Sequence, residues 1–480
     1  MDLQQLAPLR AQETPLYLQL HHRFRDAIAS GKLRPGDRVP SVRSLASALQ
    51  LARGTVELAY QLLVSEGYLQ PRGPAGTFVT PRLASLTASA SRPTPQPVPQ
   101  AQMHSPIVPG QVLPFQLGLP ALDAFPRKTW ARLLARHARG MDLAGMVYPD
   151  PASHAGLRQA IASYLGIARG IVCAPEQVFV TAGYYGALEL VCRTLLQPGD
   201  CGRFEEPGYR FARQFLQRAG MQLAPVPVDA EGLHVAQGLQ QAPQARFAVV
   251  TPSHQSPMGM ALSLPRRLEL LEWARQRQAW IMEDDYDSEF RYHGRPLPAL
   301  QSLDRHGRVL YSGSFSKVLF PGLRLGYLVV PYTLIARFRE VAQHLPSAGA
   351  LLLQATVADF MEQGHFARHL RKMRSLYAQR RSYLSHALAQ QPGLQQQLQL
   401  HLQPQAGGIQ LLARLEPGVD DQACAAAAQA QGLAVQALSD WCQHPPAQGG
   451  LLMGFTNMPT PQVAQEQVQR LYQALQWGTK

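Results

Sequence analysis

The sequence predicts a multidomain chain: a small α+β unit first, then a large α/β unit that closes with a smaller α+β subdomain. Three observations predict it. The 480 residues exceed what one hydrophobic core usually organises. A stretch over 82–112 carries Pro93, Pro95, Pro97, Pro99, Pro106 and Pro109 among Ser, Ala, Thr and Gln, and reads as an extended linker. Apolar periodicity is helical before it, whereas short strand-like runs ending in glycine or charged turns follow it. The expected divisions are 14–81, 82–112 and 113–480.

In the first unit, Leu16, Leu20, Phe24 and Ala27/Ile28 put one apolar face on a helix from Pro15 to Gly31. Pro35-Gly36-Asp37 makes a turn. Ser41 caps a short helix to about Leu49. A second helix runs from about Ala52 to Glu66, with Val56, Tyr60 and Leu63 inward, and Gly67 ends it. Tyr68–Gln70 and Thr77–Thr80 read as two small strands around Arg72-Gly73-Pro74-Ala75-Gly76. That order is a winged helix-turn-helix.

Such a unit lays its second helix in the major groove of duplex DNA, first residues toward base edges. Arg53 and Thr55 occupy those positions; arginine bonds guanine bidentately, and threonine serves a base or a phosphate. Arg38, Ser41 and Arg43 are placed for phosphates, and Arg72 and Gly76 belong to the wing. The formal charge of +13 agrees with a polyanionic partner. Five cysteines lie far apart without a Cys-x-x-Cys pair, which suggests neither a zinc site nor a disulfide framework and fits a cytoplasmic protein. No apolar run is long enough to span a membrane.

The large unit is organised around 283–327. Trp280–Met282 and Val309–Ser312 are strand-like, and charged clusters follow each: Glu283-Asp284-Asp285-Tyr286, then Ser314-Phe315-Ser316-Lys317 and Arg324. Ligands of open α/β sheets sit at the carboxyl ends of strands. The set matches pyridoxal 5'-phosphate (PLP). Lys317 is the Schiff-base lysine, Asp284 pairs with the ring nitrogen, Tyr286 bonds the ring hydroxyl, and Ser314 and Arg324 hold the phosphate. Val178–Thr181 is a strand running into Gly183, Tyr184, Tyr185 and a helix from about Ala187, a turn whose free N–H groups suit an anion. Phe247–Thr251 is a buried strand leading to Pro252-Ser253-His254-Gln255-Ser256-Pro257. Helices are expected over Thr333–Gln343, Leu351–Met361 and His365–Ala389, and strands over Gly408–Leu415, Leu433–Gln436 and Leu451–Phe455.

Residues 14–81 resemble the GntR-family DNA-binding domain, with Ala52-Arg53-Gly54-Thr55 where that family usually shows Ser-Arg-Asn-Thr. The large unit resembles fold type I aminotransferases in the version found in MocR/GabR-type regulators. The resemblance implies further roles. Tyr209, in Glu205-Glu206-Pro207-Gly208-Tyr209, lies on the ring face. Ser256 stands where an asparagine usually meets the ring hydroxyl. Tyr148, in Tyr148-Pro149-Asp150-Pro151, reaches the phosphate of a second subunit. Leu452 takes the place of the usual carboxylate-binding arginine. Arg210 and Arg213 are candidates for an effector carboxylate or belong to a solvated helix face.

The function expected is therefore a homodimeric transcriptional regulator. Its head binds a double-stranded operator, and its PLP body senses an amino compound or PLP itself. The alternatives are a working aminotransferase with an accessory DNA-binding head and a dimerising body that has lost the cofactor.

Overall fold

The computed structural model describes residues 6–8, 14–81, 110–292, 297–346, 348–394, 401–403 and 405–478. Most of the expected linker, 82–109, lies outside them. The chain divides into two compact units, Met1–His104 and Ser105–Lys480.

In the first unit, α1 (Leu16–Ala29), α2 (Val42–Leu49) and α3 (Arg53–Ser65) surround a core that includes Leu20, Phe24, Leu45, Val56 and Leu63. Each such side chain contributes about 1.5–3 kcal/mol by leaving water. The Oγ of Ser41 accepts from the backbone N–H of Ser44 at 3.1 Å, the expected cap of α2. The wing is three-stranded. β2 (Leu69–Pro71) and β3 (Thr77–Val79) pair antiparallel, and β1 (Arg38–Val39) adds to β3 with Arg38 opposite Phe78. The two-residue β1 was not expected from the sequence.

Among its described residues, the second unit holds an eight-stranded mixed sheet in the order β4 (Val178–Thr181), β11 (Gly326–Val329), β10 (Val309–Ser314), β9 (Trp280–Asp285), β8 (Phe247–Val250), β5 (Cys201–Glu206), β6 (Gln222–Asp229), β7 (Gly232–Leu233). The run from β10 to β6 is parallel; β11 is antiparallel to both neighbours. All four residues of β4, β8 and β11 are buried, as befits strands covered on both faces. The helices of this unit are α4 (Arg127–Arg139), α5 (Ala155–Arg169), α6 (Gly183–Leu195), α7 (Arg210–Arg218), α8 (Val235–Gln241), α9 (Leu264–Arg277), α10 (Ile335–Ala342), α11 (Leu351–Glu362), α12 (His365–Ala389), α13 (Asp421–Ala430) and α14 (Pro461–Gly478). A smaller antiparallel sheet closes the chain in the order β12 (His401–Leu402), β13 (Gln410–Arg414), β15 (Gly450–Gly454), β14 (Gln436–Ala437).

Three local expectations are corrected. The acidic cluster does not follow its strand: β9 continues through Asp285, so its carboxylates alternate between faces. Helix α6 begins at Gly183, four positions before Ala187, which puts Tyr184 and Tyr185 in its first turn. The strand expected over Leu433–Gln436 is Gln436–Ala437, because the backbone N–H of Ala434 bonds the Pro114 carbonyl instead of a ladder partner.

No helix among the described residues is long and apolar enough to cross a membrane. The five cysteines are free thiols.

Candidate functional site

Strand register assembles the site. Ser312 of β10 lies opposite Asp284 of β9, and Gly326 of β11 lies opposite both Ser314 and Thr181. The Gly183 turn, the Ser314 turn and the approach to Arg324 therefore meet at one end of β4, β11 and β10. The packing there needs glycine: a Cβ on Gly326 would stand 3.0 Å from the Gly183 carbonyl carbon and from the Gly313 oxygen. Arg324, exposed, takes a left-handed backbone at φ 51° as the short turn Pro321–Leu323 ends.

Alternation along β9 gives its three acids different tasks. Glu283 accepts from the backbone N–H groups of Leu300 and Gln301, both at 2.8 Å. Asp285 accepts from the Tyr311 hydroxyl at 2.6 Å and pairs with Arg169 at 2.7 Å. Asp284 projects the other way, toward Tyr184 and Lys317. Burial, with the neighbouring Asp285 charge, pushes the Asp284 carboxyl up to about 8, partly offset by the Tyr184 hydroxyl and Lys317. A carboxyl so placed gains when a cationic group comes against it.

The Lys317 amine donates to the Gly118 carbonyl at 2.8 Å. Burial lowers its pKa to about 8, against the pull of Asp287 and Asp284, so about a tenth of the amine is the free base at pH 7, far more than for an ordinary lysine. Tyr286 follows β9; its hydroxyl is buried without a hydrogen-bond partner among the described residues, and burial raises its pKa. The Ser256 backbone N–H donates to Thr251 Oγ1 at 3.0 Å. Tyr209 caps α7, its ring centroid 6.1 Å from Tyr184 and 5.8 Å from Trp441. Tyr185 is exposed and stacks on Phe215. A buried amine, a facing acid, a phenol, a ring-sized aromatic and an anion-seeking helix N-terminus form the donor set that PLP requires, and the residues present fit it.

Tyr148 stands apart from this group, its side chain 99% exposed. Arg210 and Arg213 do not form a solvated face. Arg210 lies 3.6 Å from Asp440, and Arg213 lies 3.9 Å from Glu206 and donates to the Trp441 carbonyl at 3.1 Å. Sequence reading missed Gly118, whose part depends on a contact 199 positions away. It also missed Glu205, buried and pushed up to about 7 although Thr251 and Gln255 donate to it. Its signal was an acid at the end of a strand beside Tyr209.

The head has its own candidate surface. Arg43 and Arg53 are exposed at the starts of α2 and α3, and Thr55 is half-buried one turn in. Arg38 lies across the wing, since a Cβ on Gly76 would meet its Nε at 2.8 Å. The Arg72 guanidinium covers the Phe78 ring at 5.0 Å. The Ser41 hydroxyl is already engaged as the cap of α2.

Fold and site define a winged helix-turn-helix head joined to an aminotransferase-like body. Residues 16–79 match the bacterial regulatory proteins of the gntR family, and residues 121–443 match aminotransferase class I and II. The chain is 39% identical over 476 residues to the probable rhizopine catabolism regulatory protein MocR of Rhizobium meliloti, covering 97% of this chain and 94% of that protein. It is 33% identical to the pyridoxine biosynthesis transcriptional regulator PdxR of Corynebacterium glutamicum, over 92% of each. Among solved structures, LysN, the α-aminoadipate aminotransferase of Thermus thermophilus complexed with N-(5'-phosphopyridoxyl)-L-leucine, superposes with a TM-score of 0.68 at 27% identity, over 77% of this chain and 93% of that one. The chain belongs to the MocR-type family of transcriptional regulators, GntR-type heads fused to aminotransferase-like bodies.

Proposed function

We propose that the protein is a DNA-binding transcriptional regulator whose body holds PLP on Lys317 and senses an amino compound or PLP itself. The observation that carries this reading is the convergence of the Lys317 amine, buried Asp284 and the Gly183 helix start at one end of the sheet. PLP, when bound, supplies an electrophilic aldehyde carbon and an electron-withdrawing ring. The chain does the rest. Lys317 presents a partly deprotonated amine, and Asp284 holds a proton between itself and the ring nitrogen. Tyr286 orients the ring hydroxyl, with Ser256 behind it. Tyr209 covers the ring face. Gly183, Tyr184, Tyr185, Ser314 and Arg324 surround the phosphate. Tyr148 completes the phosphate seat of a second subunit in a homodimer, which its exposure supports.

In the head, Arg53 and Thr55 address base edges, while Arg38, Ser41, Arg43, Arg72 and Gly76 meet the DNA backbone. An effector shifts DNA affinity only as far as it binds one arrangement of the protein better than the other. The test is an absorbance spectrum over about 300–500 nm, before and after borohydride, with Lys317→Ala alongside. A visible band that borohydride fixes, absent from the variant, supports the reading; its absence even with added PLP overturns it. Steady turnover with a keto-acid acceptor would instead make the protein an aminotransferase.

A further inference from the structure

Two loops carry the proposed ring contacts, and a buried acid stands between them. Tyr209, the ring-face residue, follows β5 through Pro207 and Gly208. Ser256 belongs to the loop that follows β8. The two strands are parallel neighbours, and their pairing ends where Phe204 lies opposite Val249. Glu205 comes one residue later on β5, and Thr251 directly follows β8.

Side chains continue the connection where the backbone ladder stops. The Thr251 backbone N–H donates to Glu205 Oε1 at 3.2 Å, and the Thr251 hydroxyl donates to Glu205 Oε2 at 2.6 Å. The same hydroxyl oxygen accepts the Ser256 backbone N–H at 3.0 Å. Gln255 closes the set. Its Nε2 shares its hydrogens among Glu205 Oε2 at 3.2 Å, the Pro207 carbonyl at 2.8 Å and the Ser256 carbonyl at 2.9 Å. Its Oε1 accepts the Met258 N–H at 3.0 Å. Glu205, Thr251, Gln255 and Ser256 are each 5% exposed or less, so no water stands ready to replace a lost partner.

An aliphatic side chain would pack these strand ends at lower cost than a buried acid. What the acid adds is a pair of acceptor oxygens that fix the direction of the donors from the second loop. The cofactor seat is close by, since the Glu205 charge bears on Asp284, Tyr184 and Tyr286.

We propose that Glu205 is a positioning residue for the cofactor: through Thr251 and Gln255 it locks the Tyr209 loop to the Ser256 loop, so that the contacts on the ring face and at the ring hydroxyl are held as one unit. The inference rests on the proposed reading of Lys317 as the cofactor lysine.

The experiment uses the full-length protein. Absorbance titration reads PLP affinity, and the circular dichroism of the visible band, per bound cofactor, reads how the ring is held. Thr251→Val keeps the shape of the side chain but removes the hydroxyl that joins Glu205 to Ser256, whereas Thr251→Ser keeps that hydroxyl. Thr251→Val is expected to weaken PLP binding by about tenfold or more and to reduce the dichroism, with Thr251→Ser close to the unmodified protein in both. Glu205→Gln, which turns an N–H group toward donors, is expected to act as Thr251→Val does. Unchanged affinity and dichroism in Thr251→Val overturn the inference. So does weaker binding with the dichroism per bound cofactor intact, the result a merely stabilising residue would give. The Thr251 pair decides even if Glu205→Gln fails to fold. Absence of the borohydride-fixed band from the unmodified protein would instead overturn the underlying reading of Lys317.

Discussion

The amine of Lys317 and the α-carbon of Gly118 leave each other no spare room. Nζ donates to the Gly118 carbonyl at 2.8 Å, and a Cβ on Gly118 would stand 2.3 Å from Nζ. The backbone there, at φ 77°, also disfavours any side chain. Gly118→Ala is therefore expected to push the lysine aside and weaken PLP uptake by about tenfold or more, while the separate head still binds DNA. An absorbance titration with PLP checks the first effect and a gel-shift assay the second; unchanged uptake would show that the Gly118 contact does not matter.

Lys317→Ala is expected to abolish the borohydride-fixed band and blunt the response to effector, leaving DNA binding in place. A variant that kept the band would move the cofactor to another lysine.

The lysine also sets a pH profile. Its pKa is lowered by burial from 10.5 to about 8, so the free base grows about tenfold per unit up to that point and then levels. PLP uptake by the apoprotein should rise with pH and flatten near 8, where an unshifted lysine would carry the rise on toward 10.5. Asp287 and Asp284 raise this pKa only while they are ionised, and Asp284, itself pushed up to about 8, is mostly protonated below that point. Stopped-flow absorbance across pH reads the profile, and a rise that continued toward 10.5 would show that the lysine is not shifted.

The Arg169–Asp285 pair is closed off from water, with side chains 4% and 1% exposed. Arg169 further donates to the Leu297 carbonyl at 2.6 Å and to Ser253 Oγ at 2.7 Å. Arg169→Met leaves a buried carboxylate without its cation and should cost about 3–5 kcal/mol. Urea unfolding of the variant measures this, and a loss below about 1 kcal/mol would show that Asp285 finds another partner.

For the head, Arg53→Ala is expected to lose about 1–3 kcal/mol of specific DNA binding without altering the visible band. Substituting Arg43 should weaken specific and random DNA alike and flatten the salt dependence. Wild-type operator affinity in Arg53→Ala would displace α3 as the reading helix.

Much of this was legible because it is local. The long amphipathic helix His365–Ala389 was read to its boundaries, and the cap at Ser41 was visible in its residue type. Clustered motifs likewise placed Asp284, Ser314 and Lys317 near one another. Relationships between distant segments were not legible. The two residues of β1 form a strand only because β3 lies alongside, and apolar period gives no sign of so short a piece. Arg210 and Arg213 looked like solvated charges or effector ligands, since Asp440 and the Trp441 carbonyl, about 230 positions on, approach them only in the folded chain. The three acids of β9 read as one cluster until the strand was seen to run through them and split their directions.

The close approach of Gly326 to Gly183 and Gly313 has a consequence for how the body folds. The seat at Gly183 is made by β4, yet β4 joins the sheet only through β11, a strand that arrives nearly 150 residues later. Pairings so distant in sequence form late, after much loop-closure entropy has been spent. A partly synthesised or partly unfolded chain thus lacks the seat altogether, and capture of the cofactor becomes a mark that the whole body has closed.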